Sequence, residues 1–299
     1  MSAAPTVAVV GAGAIGGAMA AALGDAGHCP QLCVRTPFAR LSRTLADDAT
    51  RDYPFPVHTR ADALAAVDWI LLCTKAHQIE SAQPWLERLV GPATRIAVMQ
   101  NGVDHEQRVA PWVPGERAVA CIILLPSKLD APGVVQQARP GVVQVPDTLA
   151  GHALAALFGE QRAIRIEPTA DFVTVVWTKL VLNAVGGAIC ALALQPLGAL
   201  AAPQVHGLAV GLMEEVMAVG RAEGARFEDD FPRRTIEYFR GPIASHWTSM
   251  AADRRDGRRM EWDARNAVVG RIGRKHGVPT PLNDALTQLL ALADSSTLA

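Results

Sequence analysis

The sequence predicts an α/β fold: a doubly wound parallel sheet in the N-terminal half, followed by an all-helical C-terminal domain. Three observations predict it. The aliphatic string Val7-Ala-Val-Val10 runs directly into Gly11-Ala-Gly13-Ala-Ile-Gly16-Gly17 and then into helix formers. Two later strings, residues 67–75 and 94–102, repeat the order of buried strand, then loop, as βαβ units require. After Pro168 the alternation stops and long helical segments take over. The expected domains are residues 1–168 and 169–299.

Composition narrows the class. The chain has 299 residues, 50% of them apolar but only 5% aromatic, so its apolar mass is Ala, Val, Leu and Ile. A disordered chain is poorer in aliphatics and richer in net charge. Lys and Arg number 28 against 29 Asp and Glu. The basic excess of a nucleic-acid binder is therefore missing. Five cysteines, an odd number without a CxxC pair, argue against a disulfide framework or a zinc knuckle. The eight histidines are scattered, so no metal site is expected.

Residues 7–24 and 180–202 carry no charge at all. Runs of that length can cross a membrane. The first, however, contains four glycines at its centre and has no Lys or Arg before it, so it makes neither a span nor a signal peptide. The second holds Gly186, Gly187, Gln195 and Pro196 and reads as a buried central helix. A cytoplasmic protein without membrane or nucleic-acid partners is expected.

The first run is a phosphate cradle. Gly11, Gly13 and Gly16 form GxGxxG between a strand and a helix, the context in which this otherwise weak pattern is informative. Gly11 makes the tight turn, Gly13 lets backbone approach a pyrophosphate, and Gly16 allows close helix–strand packing. The pyrophosphate lies at the positive helix N-terminus, and Gly11, Gly13, Ala14, Ile15 and Gly16 are the expected cofactor contacts. This makes the N-terminal half a Rossmann-type domain. Arg35 stands at the end of the second strand, followed by Arg40 and Arg43, where NAD sites usually carry Asp or Glu. A guanidinium suits a ribose 2′-phosphate, so NADP(H) is the expected cofactor.

Residues 67–75 read as a buried strand leading to a helix around Ile79–Leu89, and residues 94–102 repeat the pattern. Lys75 and Asn101 end these strands, on the edge where such sheets bind ligands. Lys75 can supplement Arg35 against phosphate. Asn101, a donor and an acceptor at once, can orient a nicotinamide ribose or a substrate oxygen. As an Asn-Gly pair, it is also an ordinary turn former. The pieces from Ala118 to Val145, punctuated by Pro132-Gly133 and Pro140-Gly141, are expected to extend the same sheet in antiparallel fashion.

In the second domain Lys179 and Asn183 are four apart and share a helix face, with Gly187 one turn further on. A lysine at the start of so apolar a helix is a snorkelling side chain, an ion-pair partner, or a proton donor. Hydride addition to a carbonyl leaves an alkoxide, which a nearby ammonium can stabilise and then protonate. Further on, Ser249 can bind a carboxylate, and Glu261 can hold a ribose or orient Lys179. Trp247 and Trp262 suit either a homodimer interface or a cleft wall.

Together these residues resemble the ketopantoate reductase (2-dehydropantoate 2-reductase) family over essentially the whole chain. The resemblance is carried by the Gly11–Gly17 cradle, Arg35, Lys75 in Thr-Lys-Ala and Gln-Asn101-Gly. Lys179-x-x-x-Asn183, Ser249-Met250 and Gly257-Arg258-x-x-Glu261-x-Asp263 complete it. It implies a Rossmann domain and a helical domain enclosing a cleft, and NADPH-dependent reduction of a 2-keto acid. It also implies Lys179 as general acid and Glu261 as a ribose-holding or lysine-orienting carboxylate. Asn101, Asn183 and Ser249 would touch substrate, and Arg35 and Lys75 the 2′-phosphate side of the cofactor. Three places depart from the family pattern. Gly187 replaces a second Asn, Leu197-Gly198 replaces a further polar contact, and a polar stretch reads Ile122-Ile-Leu-Leu-Pro-Ser127. These changes leave room for a different 2-keto acid. A reductase of another keto or imino acid, and a non-catalytic NADP-binding sensor, are the competing readings. A sensor has no need of Lys179, Asn183, Ser249 and Glu261 together.

Overall fold

The computed structural model describes residues 4–46 and 48–297. The chain divides into two units. The first comprises the residues up to Gln100 with Asp104–Phe172, and the second comprises Asn101–Val103 with the residues from Val173 on.

The first unit runs β1 (Val7–Val10), α1 (Ala14–Asp25), β2 (Gln31–Cys33), β3 (Leu41–Leu45), β4 (Arg51–Tyr53) and β5 (Val57–His58). It continues with β6 (Trp69–Leu72), α2 (Ile79–Leu89), β7 (Arg95–Val98), α3 (His105–Val109), β8 (Ala118–Ala120) and β9 (Ile122–Leu124). It closes with β10 (Ser127–Ala131), β11 (Val134–Gln137), β12 (Gly141–Pro146), α4 (Leu149–Phe158) and β13 (Ile164–Thr169). The main sheet has the order β5-β2-β1-β6-β7-β8, and every neighbouring pair is parallel. Alternate residues of its strands serve opposite faces. Val7, Val9, Leu32, Trp69 and Leu71 enter one core with α1. Ala8, Val10, Cys33, Ile70 and Leu72 enter the other with Ala82, Trp85, Leu86 and Leu89 of α2. Buried on both sides, these strands are continuously apolar.

The antiparallel extension expected after Ala118 does not form. Only β8 joins the main sheet. The later strands build two separate sheets, of order β10-β11-β3-β4 and β13-β12-β9. The reason lies in α1. Gly17 brings that helix so close to the second sheet that a Cβ there would lie 2.6 Å from Val135 Cγ2 of β11. With the main sheet on one side and the second sheet on the other, α1 is buried from Gly16 to Leu23. A helix enclosed all round is apolar all round, which accounts for the first charge-free run. Its C-terminal Asp25 accepts from Arg43 at 2.5 Å and Arg51 at 2.7 Å. Arg43, 4% exposed, is thus tied to the end of α1. The basic segment after Arg35 therefore includes a structural arginine.

The second unit is helical: α5 (Phe172–Ala193), α6 (Pro203–Ala222), α7 (Phe231–Arg240), α8 (Ser249–Arg255), α9 (Val268–His276) and α10 (Pro281–Thr297). A π-helical turn, Asp263–Ala267, leads into α9. The helix α5 is long and apolar enough to cross a membrane by composition. Its side chains from Trp177 to Ala191 form the centre of the unit's core with α6, α7, α8 and α9. The closing carbonyls of α5 at Ala191 and Leu192 accept from Arg254 of α8, at 2.5 and 2.8 Å. A cation at a helix C-terminus also opposes the negative end of the dipole. Asn266 of the π turn donates to Ala184 O of α5 at 3.0 Å and to Asn283 Oδ1 at 3.2 Å. The middle and end of α5, α8 and the π turn are thereby held together, and the expected catalytic residues lie on or next to these pieces.

Candidate active site

In the first unit the cradle forms at the carboxyl edge of the sheet. Val10 pairs with Cys33 on one side and Leu72 on the other. Gly11 N–H donates to Cys33 O at 2.9 Å, and Cys73 N–H to Val10 O at 2.8 Å. This is the switch point, where the chain runs to β2 on one flank of β1 and later to β6 on the other, and such sheets bind ligands there. Gly11 has φ +94°, a conformation L side chains avoid, and Thr74 stands 3.0 Å from where its Cβ would be. A Cβ on Gly16 would lie 1.9 Å from Gly11 O and 2.9 Å from Cys73 Cβ, so α1 starts in direct contact with β1 and β6. Gly13, the residue before α1, meets nothing within 4 Å. Two glycines are closed in and the third faces open space, in front of a helix N-terminus. That pattern fits a dinucleotide pyrophosphate held by backbone N–H groups. Ala14 and Ile15 open α1 beside it, both partly exposed.

Arg35 follows β2 and is exposed. Lys75 follows β6, ahead of a short 3-10 turn at Ala76–Gln78, and its backbone N–H donates to Gln78 Oε1 at 3.1 Å. Gln100 Nε2 donates to Thr74 Oγ1 at 3.0 Å, tying the loops after β6 and β7 together. Burial pushes the Cys73 and Cys121 thiols well above the ordinary range, so they behave as small hydrophobes.

The second unit gathers a polar cluster on an apolar helix. Lys179 is mostly buried, and Asn183 one turn on is partly exposed. Asn101, which belongs to this unit, donates through Nδ2 to Glu261 Oε2 at 3.0 Å. Glu261 is 4% exposed. Arg265, one turn beyond it in the π-helical stretch, donates through Nη2 to Ser249 Oγ at 2.9 Å and to Glu261 Oε2 at 3.5 Å. Ser249 opens α8 and is exposed, while Met250 beside it is fully buried. Glu261 itself enters this cluster because Met260 N–H and Trp262 Nε1 donate to the buried Asp294, at 2.8 and 3.1 Å. Trp262 is thus a tether within the helical unit. Trp247 is 38% exposed and stacks under Arg255 at 4.9 Å.

Electrostatics set the state of Lys179. Burial, and secondarily the Arg265 charge, lower its pKa to about 8, against a smaller upward pull from Glu261. An ammonium with a pKa near working pH gives up a proton readily and is recharged readily.

Arg265 escaped sequence reasoning, yet it sits between Ser249, Glu261 and α5. Its signal was available: a charged residue four after Glu261, flanked by Ala264, Asn266 and Val268 in an otherwise apolar stretch. Gly187 also gains a physical reading. A Cβ there would lie 3.1 Å from Met250 Cε and 3.7 Å from Arg265 Nη1. A longer side chain there would share its space with these two side chains. Among the described residues no group of three or more His, Cys, Asp or Glu is placed to hold a metal ion.

Comparison with known proteins agrees with both units. The family model "Ketopantoate reductase PanE/ApbA" matches residues 7–149, and its C-terminal counterpart matches residues 171–294. A 2-dehydropantoate 2-reductase of Caulobacter vibrioides is 41% identical over 292 residues, covering 96% of this chain and 99% of that protein. One from Mycobacterium tuberculosis is 38% identical over 291 residues, covering 96% and 97%. A crystal structure of a PanE/ApbA family ketopantoate reductase from Ralstonia eutropha superposes with a TM-score of 0.87 at 26% identity, covering 98% of this chain and all of that one. With both halves of the chain matched and near-complete coverage of a relative 41% identical, the chain belongs to the ketopantoate reductase family of oxidoreductases.

Proposed function

We propose that the protein reduces a 2-keto acid, with 2-dehydropantoate as the leading substrate and pantoate as product, using NADPH and Lys179 as proton donor. In this reading residues 1–168 hold the cofactor, and residues 169–299, joined by Asn101, carry the substrate-binding and catalytic groups. The observation that carries it is the buried cluster on α5: an ammonium whose pKa is drawn down to about 8 beside a buried carboxylate and guanidinium.

The cradle of Gly11, Gly13, Ala14, Ile15 and Gly16 suits the pyrophosphate of a dinucleotide, and bound nicotinamide supplies the hydride. Arg35 and Lys75 follow β2 and β6, the strands on either side of β1, at the end where a ribose 2′-phosphate would be read, which supports NADPH over NADH. When hydride adds to the ketone carbon, the carbonyl electron pair moves to oxygen. The Lys179 ammonium stabilises that alkoxide and transfers a proton from Nζ to it, giving the 2-hydroxy acid and a neutral amine that water recharges. Glu261 pulls in the opposite sense to burial, keeping Lys179 charged. Its Oε2 is shared by Asn101 and Arg265, which favours an orienting role over ribose binding. Asn101, Asn183 and Ser249 are the substrate contacts in this reading.

A different 2-keto acid is favoured by one observation, the crowding of the Gly187 position by Arg265 and Met250. A screen of NADPH and NADH consumption over branched 2-keto acids, with and without hydroxyls, separates the two. Fastest NADPH-dependent turnover of 2-dehydropantoate is expected. Its absence, with another keto acid turned over, reassigns the substrate. Binding of NADPH with no keto acid turned over favours the sensor.

A further inference from the structure

We propose that Arg265 is the substrate-carboxylate receptor of this site, admitted against α5 by the bare backbone of Gly187. The assignment rests on the 2-keto acid reading above. Arg265 is 3% exposed, and a guanidinium so buried requires anionic or well-placed acceptors. The acceptors present fall short. Both of its hydrogen bonds leave from Nη2: one goes to the neutral Ser249 hydroxyl, the other at 3.5 Å to a carboxylate oxygen that already accepts from Asn101. Its Nε is buried with no partner among the described residues. The Arg265 and Glu261 charges both act on Lys179, so the guanidinium and the lysine belong to one electrostatic cluster.

The geometry says which anion. Ser249 is exposed, so the guanidinium end that bonds it lies at the open side, while Nε points inward. Gly187 stands two turns from Lys179 on one face of α5, and the Nη1 of Arg265 lies 3.7 Å from its Cβ position. A 2-keto acid carries its carboxylate one bond from the carbonyl. A planar guanidinium pairs with a carboxylate through two parallel N–H groups, while the lysine takes the neighbouring carbonyl oxygen. Arg265 is then a specificity-determining residue, selecting 2-keto acids over their neutral esters and amides.

The test compares 2-dehydropantoate and its methyl ester as substrates for the wild type, Arg265→Met and Arg265→Lys, with NADPH binding followed by fluorescence. The wild type is expected to prefer the acid strongly. Arg265→Met should lower kcat/KM for the acid about 100-fold while leaving the ester within a few-fold, so the preference collapses. NADPH affinity should be unchanged, and Arg265→Lys should restore part of the preference. A merely structural arginine lowers acid and ester together. Preference retained in Arg265→Met, or acid and ester lost in parallel in both variants, overturns the assignment while the keto acid reading stands. A wild type inert toward both compounds overturns that reading, and the assignment with it.

Discussion

Lys179 illustrates how one residue is tuned by its surroundings. Its pKa of about 8 is set by burial and Arg265 against the opposing pull of Glu261. With the ammonium as the proposed donor, the reaction needs the form present below that value. Reduction should hold steady on the acid side of about pH 8 and fall about tenfold per unit above it, as a steady-state pH profile of kcat/KM will show. Glu261→Gln removes a charge that raises the lysine. Its alkaline limb should therefore move to lower pH, and a limb left in place would detach Glu261 from Lys179. Lys179 and Asn183 stood out in the sequence because charged and polar residues in an apolar helix need a reason to be there, whereas Ser249 and Glu261, in a charge-rich segment, stood out chiefly through the family resemblance. Neither signal pointed to Arg265. That role depends on a π turn and on an empty glycine site 78 residues earlier in the chain, and neither is a local pattern.

At the scale of elements, β1, its turn and α1 were legible because each position is locally constrained. The strand is buried on both faces, the turn needs φ +94° at Gly11, and α1 touches the sheet at Gly16. The second layer was not legible. Its strands β3, β4 and β10–β13 are three to six residues long, and β3 pairs in parallel with β11 across some 90 residues of chain. No short-range signal specifies such a pairing. The tight entry to α1 makes a prediction. Gly16→Ala places a methyl group 1.9 Å from Gly11 O, so the turn must shift. Overpacking of this kind costs about 1–3 kcal/mol, and NADPH affinity by fluorescence titration should fall with it. Gly13→Ala, which meets nothing within 4 Å, should preserve folding and weaken only the cofactor. Equal melting temperatures for the wild type and Gly16→Ala would contradict this packing account.

For the whole molecule, near-neutral charge carries the lesson. With 28 basic and 29 acidic residues, no bulk positive field gathers an anionic cofactor and an anionic substrate. In the proposed reading, recognition falls to a few placed groups: Arg35 and Lys75 in the first unit, and Lys179 and Arg265 in the second. Cofactor choice should then be separable from substrate chemistry. Arg35→Asp is expected to raise KM for NADPH by about 10- to 100-fold, to leave NADH-dependent turnover near its original level, and to leave KM for the keto acid unchanged. A parallel rise for NADH would argue against a 2′-phosphate role. The two charge-free runs that suggested membrane spans are, in the structure, the enclosed α1 and the core helix α5. Their apolarity serves to position a cradle and a lysine. The most direct test of the account is NADPH oxidation with 2-dehydropantoate, measured for the wild type and Lys179→Ala side by side with NADPH affinity. The account predicts turnover by the wild type and its loss in the variant, with NADPH bound equally well by both. Wild-type-like turnover in Lys179→Ala would contradict it.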